Sequence, residues 1–158
     1  MDDLDRCYVS ALRILKYRFN SAGELRRKLR GKGFERDVID ATITRLASEK
    51  WLDDARFAAA YVRTRSQKRK GRLRIRRELI GAGVSNDIID RAVSENVDAE
   101  DEHARALALA QKRLAVLSRR YAPEVVRNKL TAYLLNQGYD AGLVREVIKE
   151  MRGLSPRA

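Results

Sequence analysis

The sequence predicts an all-α protein built of three tandem three-helix repeats that form an elongated, curved array. Two observations predict this fold class. A block of nineteen residues recurs three times without a gap, and a longer stretch with helical apolar spacing precedes each recurrence. The chain has only two prolines and no alternating apolar runs, so no sheet is expected.

The three blocks are "LRRKLRGKGFERDVIDATI" from Leu25, "IRRELIGAGVSNDIIDRAV" from Ile75 and "LTAYLLNQGYDAGLVREVI" from Leu130. Leu25, Ile75 and Leu130 align, as do Leu29, Leu79 and Leu134, and Gly33, Gly83 and Gly138. Each block reads as two short helices joined by a tight turn. Leu25 and Leu29 are one helical turn apart and share a face, and so do Ile39 and Ile43. The aligned glycine suits the left-handed residue that ends a helix. "SAGE", Ser21 to Glu24, is a capping box for the leading helix of the first copy, and Pro123 suits the first turn of a helix in the third.

The preceding helices are expected over Leu4–Phe19, Asp54–Lys68 and Glu102–Ser118. The modules then span residues 1–48, 49–98 and 99–158, with the acidic run "SENVDAEDE" marking the second boundary. A unit of about 50 residues has only a marginal core of its own, so neighbouring modules should lean on one another. Trp51 is expected to pack between modules, and Phe57 and Tyr61 to lie in the core.

Composition narrows the function classes. With 44% apolar and 35% charged residues the chain is neither a disordered tail nor a membrane protein. No stretch approaches the roughly 20 continuous apolar residues that span a bilayer. The N-terminus lacks an apolar signal core, and Cys7 is a lone cysteine. Together these fit a monomer in a reducing cytoplasm.

The net charge of +12 is concentrated. Residues 63–79 hold nine basic side chains and one acidic one, two thirds of the whole excess. A solvated helix face ordinarily mixes both signs, because like charges one turn apart repel. A polyanion or an acidic protein surface is therefore the expected partner. Arg63, Arg65, Lys68, Arg69 and Lys70 come off the end of one helix, Gly71 interrupts, and Arg72, Arg74, Arg76 and Arg77 start the next. The cluster decorates an elbow, and its second half opposes the dipole of the helix it begins. Such a local conflict points to function. Replacing Arg72, Arg74, Arg76 and Arg77 by Ala is expected to spare the fold and weaken partner binding.

No catalytic constellation is present. Cys7 and His103 are too few and too far apart for a zinc site, and Cys7 has no evident base. Asp53 and Asp54 stand where a helix begins, which suits capping better than metal or acid–base chemistry. "GKG" and "GAG" follow no strand and lack a phosphate-loop spacing. Neither enzyme activity nor a cofactor is expected.

Residues 51–93 resemble the central module of RecX, the family of bacterial regulators of the RecA recombinase. The resemblance rests on Trp51-Leu52-Asp53-Asp54, Arg56-Phe57-Ala58, Lys70-Gly71, Glu78-Leu79 and Gly83-Val84. The first module, "ALRILKYRFNSAGELRRKLRGKGF", is similar to the family's opening repeat, and the third fits in pattern. In this motif Asp53, Asp54, Phe57, Gly71, Leu79 and Gly83 read as mostly structural. The resemblance implies binding in the groove of the RecA–DNA filament. It also implies suppression of RecA's ATP hydrolysis, strand exchange and co-protease activity, and so a place in DNA repair and the SOS response. The basic elbow would face acidic RecA surface, DNA phosphates or both. A direct DNA binder of helix-turn-helix type remains the alternative, since helix pairs with a basic face also hold DNA.

Overall fold

The computed structural model describes residues 1–151, and the regular structure among them is entirely helical. The helices are α1 (Asp3–Tyr17), α2 (Ala22–Gly31), α3 (Arg36–Ser48), α4 (Asp54–Gln67), α5 (Arg72–Gly81), α6 (Asn86–Asn96), α7 (Ala99–Leu117), α8 (Pro123–Gln137) and α9 (Ala141–Glu150). The all-α, three-by-three organisation expected from the repeat is present.

Local chemistry sets the boundaries. The Ser21 hydroxyl accepts from the Glu24 amide and opens α2, Asp140 does the same for α9 through the Leu143 amide, and Pro123 sits in the first turn of α8. Gly33, Gly83 and Gly138 all have positive φ, at 91°, 80° and 102°. They let the chain reverse into the third helix of each copy where a Cβ would be strained.

The described residues fall into two compact units. One contains residues 1–60 and 78–92; the other contains residues 61–77 and those from Val93 on. In the first unit α1, α2 and α3 close on a core that includes Cys7, Ala11, Leu25, Leu29, Ile39 and Leu46. In the second, α7, α8 and α9 close on Ala106, Ala110, Val126, Leu130, Leu134 and Val147. The leucines that defined the repeat are thus core residues, and Cys7 is a buried apolar residue rather than a reactive thiol. Leu79 is fully buried too. Its replacement by Ala is expected to lower stability by about 2–5 kcal/mol in urea unfolding.

Trp51 departs from expectation, being 57% exposed. Lys50 adopts a left-handed backbone with φ 64°, and the Trp51 and Leu52 amides both bond to the Leu46 carbonyl. This turn sends Leu52, 6% exposed, inward in its place. Phe57 is buried as expected, whereas Tyr61 is only half-buried.

A candidate partner-binding elbow

The elbow starts where α4 ends. The Lys70 amide donates to the Arg65 carbonyl at 3.1 Å and the Arg69 amide to the Ser66 carbonyl at 2.9 Å. This is the bond pattern of a Schellman cap, whose left-handed residue is usually glycine. Here that residue is Arg69, with φ 61°. A side chain in this region costs on the order of 1 kcal/mol. The strained peptide is held from outside: Tyr139 donates its hydroxyl proton to the Arg69 carbonyl at 2.6 Å.

Tyr139 is 1% exposed, and burial pushes its pKa from the usual 10 up to about 12. The folded state therefore keeps the phenolic proton over a range where the unfolded chain releases it. The associated stability is complete below pH 10 and is lost as the pH climbs to about 12. Urea midpoints measured across that range should fall more steeply for the wild type than for Tyr139→Phe.

The next helix begins after Gly71, which brings no side chain of its own to cap it. Gly71 stands where Ser, Asp or Asn would normally accept from the first amides. Backbone carbonyls at the end of α8 do the work instead: the Gly71 amide donates to the Gln137 carbonyl at 2.9 Å and the Leu73 amide to the Gly138 carbonyl at 3.0 Å. The two segments meet so closely that a Cβ on Gly71 would lie 2.3 Å from the Gly138 carbonyl carbon. One on Gly138 would lie 2.3 Å from Arg74 Cβ.

The other unit repeats this seam at equivalent positions. Ser21, the counterpart of Gly71, donates its hydroxyl to the carbonyl of Ala82, the counterpart of Gln137, at 2.5 Å. Arg27 donates to the Gly81 carbonyl, and a Cβ on Gly23 would lie 2.7 Å from the Ala82 oxygen. Asp54 accepts from the Ala22 amide at 2.8 Å, supplying an acceptor to the start of α2, while Asp53 caps α4 through the Arg56 amide at 3.0 Å. Both aspartates thus serve helix N-termini, as their position predicts, but Asp54 serves a helix other than its own.

The nine cations of the elbow divide by environment. Arg63, Lys68, Arg69 and Arg77 are exposed, and Arg65, Lys70, Arg72, Arg74 and Arg76 are half-buried. Arg63 donates to the Asn96 side chain at 3.2 Å and Lys70 to that of Gln137 at 2.7 Å. Arg72 is held by a buried carboxylate. Its Nε lies 2.8 Å from Glu102 Oε2, and the glutamate side chain is only 5% exposed. This pair accounts for a cation at the α5 N-terminus, since the carboxylate offsets what the helix dipole opposes. Arg72 is therefore a fold residue as well as an elbow residue, and its removal is expected to cost stability that the four-arginine replacement was expected to spare.

Glu102, Gln137 and Tyr139 were not legible as elbow residues, because each reaches the elbow from at least thirty positions away in sequence. His103 pairs with Glu150 at 2.9 Å and is half-buried. Among the described residues no group of three potential metal ligands comes together, and no helix is long and apolar enough to cross a membrane.

Known proteins agree with this architecture. Family models described as the first, second and third three-helix domains of RecX match residues 7–46, 53–93 and 100–148. A protein named Regulatory protein RecX from Clostridium perfringens is 34% identical over 151 residues, which cover 95% of this chain and 70% of that one. Its namesake from Chlorobium phaeobacteroides is 33% identical over 154 residues, covering 96% of this chain and 98% of that one. The crystal structure of RecX from Lactobacillus salivarius superimposes with a TM-score of 0.82 at 27% identity, covering 94% of this chain and 96% of the other. With three helical copies in order and a motif-bearing central copy, this chain belongs to the RecX family of regulatory proteins.

Proposed function

We propose that the protein restrains RecA by docking in the groove of the RecA–DNA filament, touching more than one subunit, and so suppresses ATP hydrolysis, strand exchange and co-protease activity. It acts in the cytoplasm as a monomer, without catalysis of its own, through modules of residues 1–48, 49–98 and 99–158. The observation that carries this is the elbow: nine cations against one acid in seventeen residues. The exposed members Arg63, Lys68, Arg69 and Arg77 face acidic RecA surface, DNA phosphates or both. Arginine's planar fork suits either partner.

The test is RecA's DNA-dependent ATPase titrated with the protein. Inhibition is expected at or below one protein per RecA monomer; an unchanged rate over that range sinks the proposal. The variant Arg63→Ala/Lys68→Ala/Arg77→Ala changes exposed positions only. It should fold normally and bind filaments about tenfold more weakly, with reduced salt sensitivity. Wild-type inhibition by this variant would remove the elbow from the interface.

Direct DNA binding is the second reading, favoured by the basic residues at the start of α5. It requires tight binding to naked DNA with a steep salt slope. Weak naked-DNA binding beside tight filament binding rejects it.

A further inference from the structure

The groove between the second and third helices occurs in the first and third copies, and the two versions differ in a way that assigns a ligand class. In the first copy a cavity of about 410 Å³ is lined by Arg26, Arg30, Arg36, Ile39 and Asp40. Asp40 closes it, with Arg26 Nε at 3.4 Å and Arg36 Nε at 3.8 Å. In the third copy a cavity of about 520 Å³ is lined by residues at those same repeat positions: Thr131, Leu135, Ala141, Val144 and Arg145. Every charge in the first-copy groove has been removed or reversed. The arginines have become Thr, Leu and Ala, and the aspartate has become Arg145. The second copy carries Arg76 and Asp90 at the positions of Arg26 and Asp40, so the third copy alone has lost the pair.

The result is an apolar floor under a cationic rim. Leu135, Ala141, Val144 and Ile148 supply the floor, Arg127, Arg145 and Lys149 the rim, and among the described residues the lining contains no carboxylate. Leu135 is 42% exposed, although most leucines of the repeat are buried. A duplex would satisfy the rim but keeps its apolar groups recessed in the grooves, whereas a protein segment can insert a protruding apolar side chain between carboxylates.

We propose that the α8–α9 groove docks an acidic segment of a partner protein, which inserts an apolar side chain between the helices and sets carboxylates against Arg127, Arg145 and Lys149. The proposal goes beyond RecA restraint and does not depend on it. Its test contains neither RecA nor DNA at the outset, so the two stand or fall separately.

The probe is a fluorescein-labelled synthetic peptide with a Leu-Leu centre and glutamates on both flanks, followed by anisotropy and by amide chemical shifts of the full chain. Binding should perturb amides of α8 and α9. The variant Thr131→Arg/Arg145→Asp rebuilds the arginine–aspartate pair of the first copy in the third. It should keep the fold and bind the peptide at least about tenfold more weakly, a loss of one decade in Kd. Leu135→Ser, at an exposed position, should weaken binding in the same direction. Unchanged affinity in both variants overturns the proposal. So does equal binding of a peptide with serines for leucines or lysines for glutamates. Amide shifts confined to residues 63–77 would mean that the elbow merely attracts acid. Displacement by a short DNA duplex that perturbs the same α8–α9 amides would give the groove to nucleic acid. Self-association that Thr131→Arg/Arg145→Asp abolishes would give it to a second copy. Each of these three outcomes also overturns the proposal.

Discussion

Arg72→Ala is expected to lower the unfolding free energy by about 2–3 kcal/mol, and a second change, Glu102→Gln, to restore most of the loss. Removing one member of a buried ion pair leaves the other charge without compensation, which typically costs about 3–5 kcal/mol. The Arg72 side chain is 35% exposed, so water reaches it and the effect falls below that range. Glu102 is 5% exposed, so its carboxylate would be left with little water to solvate it. Glutamine keeps the volume and a hydrogen-bonding oxygen while removing the stranded charge. A double-mutant cycle by urea unfolding gives the coupling. Additive single effects would show that the pair contributes nothing as a pair.

Gly138→Ala should be about as damaging, by about 2–4 kcal/mol. Two penalties coincide there. The backbone sits at φ 102°, where a Cβ costs about 1 kcal/mol. That Cβ would also lie 2.6 Å from the Arg74 amide nitrogen, and backbone cannot rotate away. Overpacking of this kind adds about 1–3 kcal/mol. Hydrogen exchange gives the sharper readout. The Leu73 amide, bonded to the Gly138 carbonyl, should lose protection in the variant while amides in the middle of α1 keep theirs. Gly71→Ala approaches the same seam from the opposite side, and its effect should not add to that of Gly138→Ala. Wild-type protection at Leu73 in Gly138→Ala would mean that the seam tolerates the extra atom.

Much of the architecture was legible because it is written in local periodicity. Leu25 with Leu29 and Leu130 with Leu134 mark buried faces, and the aligned glycines mark left-handed turns. Ser21, Asp53 and Pro123 announce helix starts by chemistry that acts over three or four residues. What escaped was long-range. No sequence pattern reveals that Gln137 and Gly138 lend carbonyls to α5, since a carbonyl is the same on every residue. The absence of a cap at Gly71 was the available hint, because orphan amides must find acceptors somewhere. Trp51 was misplaced because a left-handed residue at Lys50 shifts which neighbour turns inward, and lysine does not advertise that conformation. The nine cations of the elbow look alike in sequence. Only the partner thirty residues away separates Arg72 from Arg77.

The seam between copies has a direction. In each pairing, the glycine reversal of the later copy receives the leading end of the earlier copy's second helix. At Gly33, in the first copy, a Cβ would meet nothing within 4 Å among the described residues, so that receptor stands vacant. At the third copy, α8 begins about one turn earlier than its counterparts, and the amide of Val126, aligned with Gly71, is already bonded to Ala122. That amide is committed within α8, whereas the Gly71 amide bonds to the Gln137 carbonyl. The first copy thus leaves its reversal glycine unmet among the described residues, while the third spends the amide aligned with Gly71 inside its own helix.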